Sequence, residues 1–137
     1  MVRVFLERRE LPDDLRHLLD QNVAAAECTP PLDIIETGAA LEVLLDVPGV
    51  SATEIDIVFA RNVLLVTGYK QPALCGHSDA AFHIAERAFG RFGRAIKLEG
   101  AFDTGRASAV LAGGELRIVL PRQSERRGRL TRIPIRS

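Results

Sequence analysis

The sequence has 137 residues, of which 47% are hydrophobic and 26% charged, so it supports one compact domain with a real core and excludes global disorder. Lys and Arg together number 18, as do Asp and Glu, and the net charge is zero. This balance argues against a nucleic-acid partner bound by phosphate neutralisation, and it favours self-association because copies do not repel one another. No stretch approaches the ~20 apolar residues of a membrane span, and the N-terminus lacks the apolar run of a signal peptide, so we expect a cytoplasmic location.

The first zone, residues 1–31, is predicted to be a short arm. Val4, Phe5 and Leu6 form a small apolar cluster among charged residues. After them, leucines recur at spacings of four and three, which predicts one face of a short amphipathic helix. These are Leu11, Leu15, Leu18 and Leu19. A Thr-Pro-Pro stretch then ends any helix and leads into the next zone in extended form.

The second zone, residues 32–122, has the pattern of short strands almost throughout. Apolar and polar residues alternate in LEVLLDV at 41–47, which predicts a half-buried strand. Further strands are predicted at 55–59, 63–66, 92–98, 107–111 and 116–120, separated by turn pairs at Pro48-Gly49, Arg61-Asn62 and Gly113-Gly114. Residues 69–81 are predicted to be a loop, with one more short strand at 82–84. This spacing predicts an all-β, antiparallel β-sandwich.

The third zone, residues 123–137, is a polar, basic tail that ends in Ile133-Pro134-Ile135. Proline fixes its own φ and favours extended geometry at Ile133, so both isoleucine side chains project to the same side. A peptide of this shape can lie along a sheet edge and place the two side chains in a groove. From the tripeptide alone, a frayed tail is an equal alternative.

The motifs of the second and third zones, taken in order, resemble one family. PPLDIIETGAALEVLLDVPGV resembles the opening of an alpha-crystallin domain, with matching residues Pro31, Asp33, Ile34, Glu36, Asp46, Pro48 and Gly49. HIAERAFGRFGR resembles the Glu-Arg-x-x-Gly-x-Phe-x-Arg signature of that domain, here Glu86, Arg87, Gly90, Phe92 and Arg94. NVLLVTGYK and AGGELRIVLPR resemble two further strands, and the final tripeptide matches an Ile-x-Ile tail motif. Over residues 31–135 the chain is thus identified as a member of the alpha-crystallin family of small heat shock proteins, although GGEL replaces the usual Asn-Gly-Val-Leu and LEG replaces Leu-Pro.

The resemblance implies a fold, a function and a dimer. The fold would be an immunoglobulin-like sandwich, and the function that of an ATP-independent holding chaperone, which is not an enzyme and needs no cofactor. Its partners would be itself and unfolding client proteins. The strand through Phe82 and Ile84 would cross to a neighbouring subunit in a strand-swapped dimer, and Glu86 would pair with an arginine across it. Arg94 has the parity of the core residues beside it, so a buried side chain there would need a carboxylate partner. The resemblance implies that this arginine lies near a subunit contact, and the alternative is a bulge that turns it outward.

The resemblance also implies a groove for the tail and a surface for clients. The tail isoleucines would dock on another dimer, and small alanines in the groove would leave room for them. The predicted groove residues are Ile55, Ile57, Phe59, Ala107, Ala109 and Leu111. The predicted client-contacting residues are Val4, Phe5, Leu6, Leu15, Leu18 and Leu19. The alternative for these apolar arm residues is that they only pack inside the oligomer.

Other chemistry finds little support in the sequence. His77, Asp79, His83 and Glu86 have the spacing of no standard metal site, so we predict no metal, and no phosphate-binding loop is present. Cys28 and Cys75 give neither a disulfide framework nor a zinc pattern.

Two rival functions stay open. A co-chaperone adaptor of the CS type would lack the Ile-Pro-Ile tail and be monomeric, whereas a small β-sandwich enzyme or ligand-binding module would need a pocket with convergent polar groups.

Overall fold

The protein is described by a computed structural model that covers residues 2–4, 13–22, 28–72, 76–123 and 131–137. Within these residues the chain forms ten β-strands and one α-helix. In chain order they are β1 (Val2–Val4), α1 (Asp13–Asn22), β2 (Leu32–Glu36), β3 (Ala40–Asp46), β4 (Ile55–Ala60), β5 (Val63–Lys70), β6 (Gly90–Leu98), β7 (Ser108–Ala112), β8 (Glu115–Pro121), β9 (Thr131–Arg132) and β10 (Ile135–Arg136).

The strands form two five-stranded sheets that face each other. The first sheet has the order β1-β6-β5-β4-β9 and the second the order β10-β7-β8-β3-β2. Neighbouring strands are antiparallel except for β10, which runs parallel to β7. The predicted all-β antiparallel sandwich is therefore confirmed.

The core lies between the inner faces of the two sheets. In the second sheet, Leu41 of β3 lies opposite Leu120 of β8, and Val43 lies opposite Ile118. All four are at most 1% exposed. Alternation along β3 and β8 places these residues on one face, and burial of each such side chain contributes about 1.5–3 kcal/mol relative to exposure. The apolar residues that recur at every second position of β3 and β8 thus form this part of the core.

Three tight turns fix the register of the hairpins. Gly49 has φ +80°, as the third position of a type II turn requires, and the amide of Val50 donates to the carbonyl of Val47 at 3.1 Å. Gly113 and Gly114 both have positive φ, which suits the two-residue connection between β7 and β8. The connection between β4 and β5 also needs two left-handed residues, and there the sequence supplies Arg61 and Asn62, with φ of 50° and 61°.

One predicted strand is absent from the described residues, and one helix is present as expected. Residues 82–84 lie in the loop between β5 and β6, with a bend at His83, and pair with no described strand. A single short strand gains little without a sheet edge to join, so the prediction of a strand here is wrong for one chain by itself. The predicted amphipathic helix of the arm is confirmed as α1.

Candidate functional site

The groove predicted for the tail lies between the free edges of β4 and β7, at one side of the sandwich. The tail segment, residues 131–137, occupies this side. Its strand β9 pairs with β4, and its strand β10 pairs with β7. A single short peptide therefore bridges the two sheets and covers both of their edges.

Ile133 is the centre of the bridge. It is only 4% exposed and belongs to the main core cluster, while its amide donates to the carbonyl of Ile57 at 3.1 Å. Ile135 is half-buried and packs against the same cluster, and Pro134 between them is exposed. The proline keeps the segment extended, so the two isoleucines face the sandwich together.

The residues named from the sequence as the groove all contact this cluster. Ile55, Ile57, Phe59 and Ala109 are buried members of it, and Ala107 and Leu111 pack against its margin. Ala109 lies directly opposite Ile135 in the β7–β10 pair. The prediction placed the tail in the groove of another dimer, whereas here it lies in the groove of its own chain. Docking there removes the apolar side chains of the tail from water.

An ion pair holds the tail in register. Arg132 donates to the carboxylate of Asp56 on β4 and forms an ion pair with it. This hydrogen bond and the charge of Asp56 raise the pKa of Arg132. Both side chains are about half exposed, so the pair adds at most about 1 kcal/mol to the free energy of unfolding. We therefore infer that its main effect is to align the tail with β4. The sequence offered no signal for it, because the partners are far apart in the chain.

The loop between β5 and β6 carries the most exposed large apolar side chains of the described residues. Phe82 and Ile84 are each 75% exposed. The loop closes on Phe89, whose ring lies 5.0 Å from the guanidinium of Arg87 and 5.5 Å from the ammonium of Lys70. These cation–π contacts fix the base of the loop and leave its apolar part in solvent.

The outer strand of the second sheet offers an open edge. β2 pairs with β3 on one side, and no described strand pairs with its other side. Ile35 on this strand is 45% exposed. An edge of five residues that pairs with no described strand and carries an exposed isoleucine is a ready template for another strand. Glu86, predicted for the dimer interface, is exposed on the loop.

Among the described residues, Arg94 has no carboxylate partner of the kind that we expected. Its side chain is half-buried on β6 and donates to the carbonyl of Pro30 at 2.7 Å. Burial lowers the pKa of its guanidinium. A main-chain carbonyl satisfies a buried donor as a carboxylate would, without adding a second charge that must be desolvated. Arg94 thereby joins β6 to the chain segment that enters β2.

The residues predicted to contact clients fall into three groups. Leu15 is completely buried against the outer face of the first sheet, so in this conformation it is packed as the alternative for the arm residues supposed, and its contact with clients stays a prediction. Val4 lies in β1, opposite Ile96. Phe5 and Leu6 lie outside the described residues, as do the side chains of Leu18 and Leu19.

Sites for other chemistry are not found in the part of the chain that is described. No group of three potential metal-ligating residues occurs among these residues. No helix there is long and apolar enough to cross a membrane. The thiol of Cys28 is near the carbonyl of Gly90, at 3.6 Å, and Cys75 lies outside the described residues.

Comparison with known proteins gives consistent matches. The pattern of the Hsp20/alpha crystallin family matches residues 33–136. Over 81% of its length the chain is 34% identical to the 21.9 kDa heat shock protein of Oryza sativa subsp. japonica, and over 77% it is 28% identical to small heat shock protein C4 of Rickettsia felis. It spans 56% and 64% of these two relatives.

Among solved structures, the fold is similar to that of heat shock protein 16.0 from Schizosaccharomyces pombe. The TM-score is 0.66 at 24% identity, over 74% of this chain and 96% of that one. At this identity the comparison supports the sandwich fold.

Proposed function

This chain belongs to the Hsp20/alpha crystallin family, and we propose that it is an ATP-independent holding chaperone that binds partly unfolded proteins through apolar surfaces. The observation that carries the proposal is the apolar groove of Ile57, Phe59 and Ala109, which Ile133 and Ile135 cover and which release of the tail would expose. Holding needs no catalytic group, because a protein that binds unfolded chains lowers their free concentration and so slows their aggregation. The cytoplasmic location stays a prediction.

The exposed loop supports a dimer in which strands are exchanged. A second copy of β2 offers an edge with which no described strand pairs, and the loop offers two exposed apolar side chains, Phe82 and Ile84. If this segment becomes a strand on pairing, the two side chains come to lie on the same side. Pairing them would satisfy the edge and bury the apolar pair at once. Glu86 and Arg94 would lie at this contact, since one is on the loop and the other is bonded to the segment before β2.

The tail supports assembly beyond the dimer. The contacts that Ile133 and Ile135 make with their own groove are the contacts they would make with the groove of another copy. The choice between the two is therefore set by chain concentration and by the stretch that joins β8 to the tail, rather than by different side chains.

The proposed function is tested by the turbidity of a heat-stressed client protein in the absence of ATP. We expect an equimolar amount of the chain to suppress the turbidity, with an unrelated β-sandwich protein of similar size as the control. Turbidity equal to that of the control would overturn the holding function and favour a co-chaperone adaptor.

A further inference from the structure

The outer face of the first sheet is apolar where a sandwich normally presents polar residues to water. Two rows of side chains cross it from strand to strand. One row is Val58, Leu65 and Ala95, and the next begins with Ala60 and Val63. All five are at most 6% exposed. We call these five residues the outer apolar face.

Helix α1 covers this face. Leu15 is 0% exposed and forms one buried cluster with the five residues. Asp14, next to it, forms an ion pair with Arg61 at the rim of the face. Lys97 continues the rim, and its ammonium donates to the carbonyl of Arg61 at 3.1 Å. The face thus fits an amphipathic helix that has an apolar stripe and carboxylates in its first turn.

The cover is a single short helix. α1 has 10 residues, which is shorter than the ~12–15 residues needed for an isolated helix to be even marginally stable in water. Its helical state therefore depends on docking. The sheet beneath is held by pairing of β4, β5 and β6 and by the inner core on its other face. Loss of α1 would leave a contiguous apolar patch on a folded sandwich, which is the property of an interaction surface.

We propose that the outer apolar face is a second binding surface, which α1 masks and which accepts an amphipathic helix of an unfolding protein. The partner has leucines at spacings of three and four and carboxylates at its N-terminal turn, as α1 itself has. The inference rests on the proposed holding function for the identity of the partner. The geometry of the face supports the other part of the proposal, namely that a helix binds there.

A labelled peptide with the sequence of residues 11–22 tests the proposal by fluorescence anisotropy with the full chain. In Leu15→Asp the chain's own helix cannot dock, so the peptide should bind at least about tenfold more tightly than to the unchanged protein. Adding Ala95→Lys, which places a charge on the face and leaves the inner core untouched, should abolish the gain. A peptide with Leu15→Asp is the matched control and should not bind.

Equal affinity for the unchanged chain and for Leu15→Asp would overturn the proposal, as would binding that survives Ala95→Lys. A rise in mass of Leu15→Asp without peptide binding would also overturn it, since a second copy would then be the occupant. If circular dichroism shows that Leu15→Asp is unfolded, Arg61→Glu replaces it, and a peptide with Asp14→Lys must then bind better than the native one.

This result and the client assay are separable. Suppression of turbidity without peptide binding would overturn only the proposal that the outer apolar face binds a helix. Peptide binding without suppression leaves a helix-binding surface and removes the holding function.

Discussion

At the scale of single residues, the inner face of the first sheet depends on one glycine. Gly68 of β5 lies opposite Phe92 of β6, whose ring passes over it. A Cβ added to Gly68 would lie 2.3 Å from the Phe92 ring and 2.9 Å from the carbonyl oxygen of Glu54. The second contact is with backbone, which cannot rotate away. Gly68 is therefore required because no Cβ fits at this position.

We expect Gly68→Ala to lower the free energy of unfolding by about 1–3 kcal/mol, the range for overpacking a core. Urea denaturation of the purified protein measures the change. Gly38 is the matched control because an added Cβ there would meet nothing within 4 Å. A loss from Gly38→Ala as large as that from Gly68→Ala would contradict a steric origin.

The residues that the sequence could not predict are those whose partners are distant in the chain. Arg94 shares the parity of Phe92, so its inward position followed from alternation. Its bond to the carbonyl of Pro30 did not, because no local pattern marks which backbone oxygen lies beside a strand edge. The same holds for the ion pair of Arg61 with Asp14, which joins residues 47 positions apart.

At the scale of elements, the strands were predictable because each carries its own period. β3 and β8 alternate strictly, and the glycines between β7 and β8 indicate their hairpin. Residues 63–66 of β5 are apolar at every position, and in the structure both faces of this part of the strand are buried. That α1 covers the outer face was not predictable, because docking a helix on a sheet depends on long-range packing.

The tail is the element whose placement has the clearest consequence for stability. Ile133 is buried and Ile135 is half-buried. If the tail docks on its own chain in dilute solution, Ile133→Ala should lower the free energy of unfolding by about 2–4 kcal/mol and Ile135→Ala by less. Urea denaturation at low protein concentration measures both. Arg136→Ala, at an exposed side chain of the same segment, is the control.

Stability that is unchanged by Ile133→Ala would show that the tail is not docked in the dilute chain. Assembly provides an independent measurement of the same groove. At higher concentration, changing both isoleucines to alanine should reduce larger assemblies to dimers in light scattering. A mass that does not fall would remove the tail from the assembly contact.

At the scale of the whole molecule, the two sides of the sandwich differ. The side formed by β4 and β7 is closed by the tail segment. On the other side, the outer edge of β2 pairs with no described strand, and the loop with Phe82 and Ile84 projects into solvent. Such an asymmetry gives each chain one satisfied side and one that a second copy can complete. Two chains related by a two-fold axis would exchange loops reciprocally.

The double change Phe82→Ser and Ile84→Ser tests this exchange. Both side chains are 75% exposed in the single chain, so their removal should alter the unfolding of the monomer by no more than about 0.5 kcal/mol. The dimer would lose its buried apolar pair, and light scattering after size-exclusion chromatography at micromolar concentration should show a shift toward monomer. Tyr69→Ser removes a partly exposed aromatic ring from β5 and should leave the mass unchanged. A stable dimer of the double variant would place the subunit contact elsewhere on the molecule.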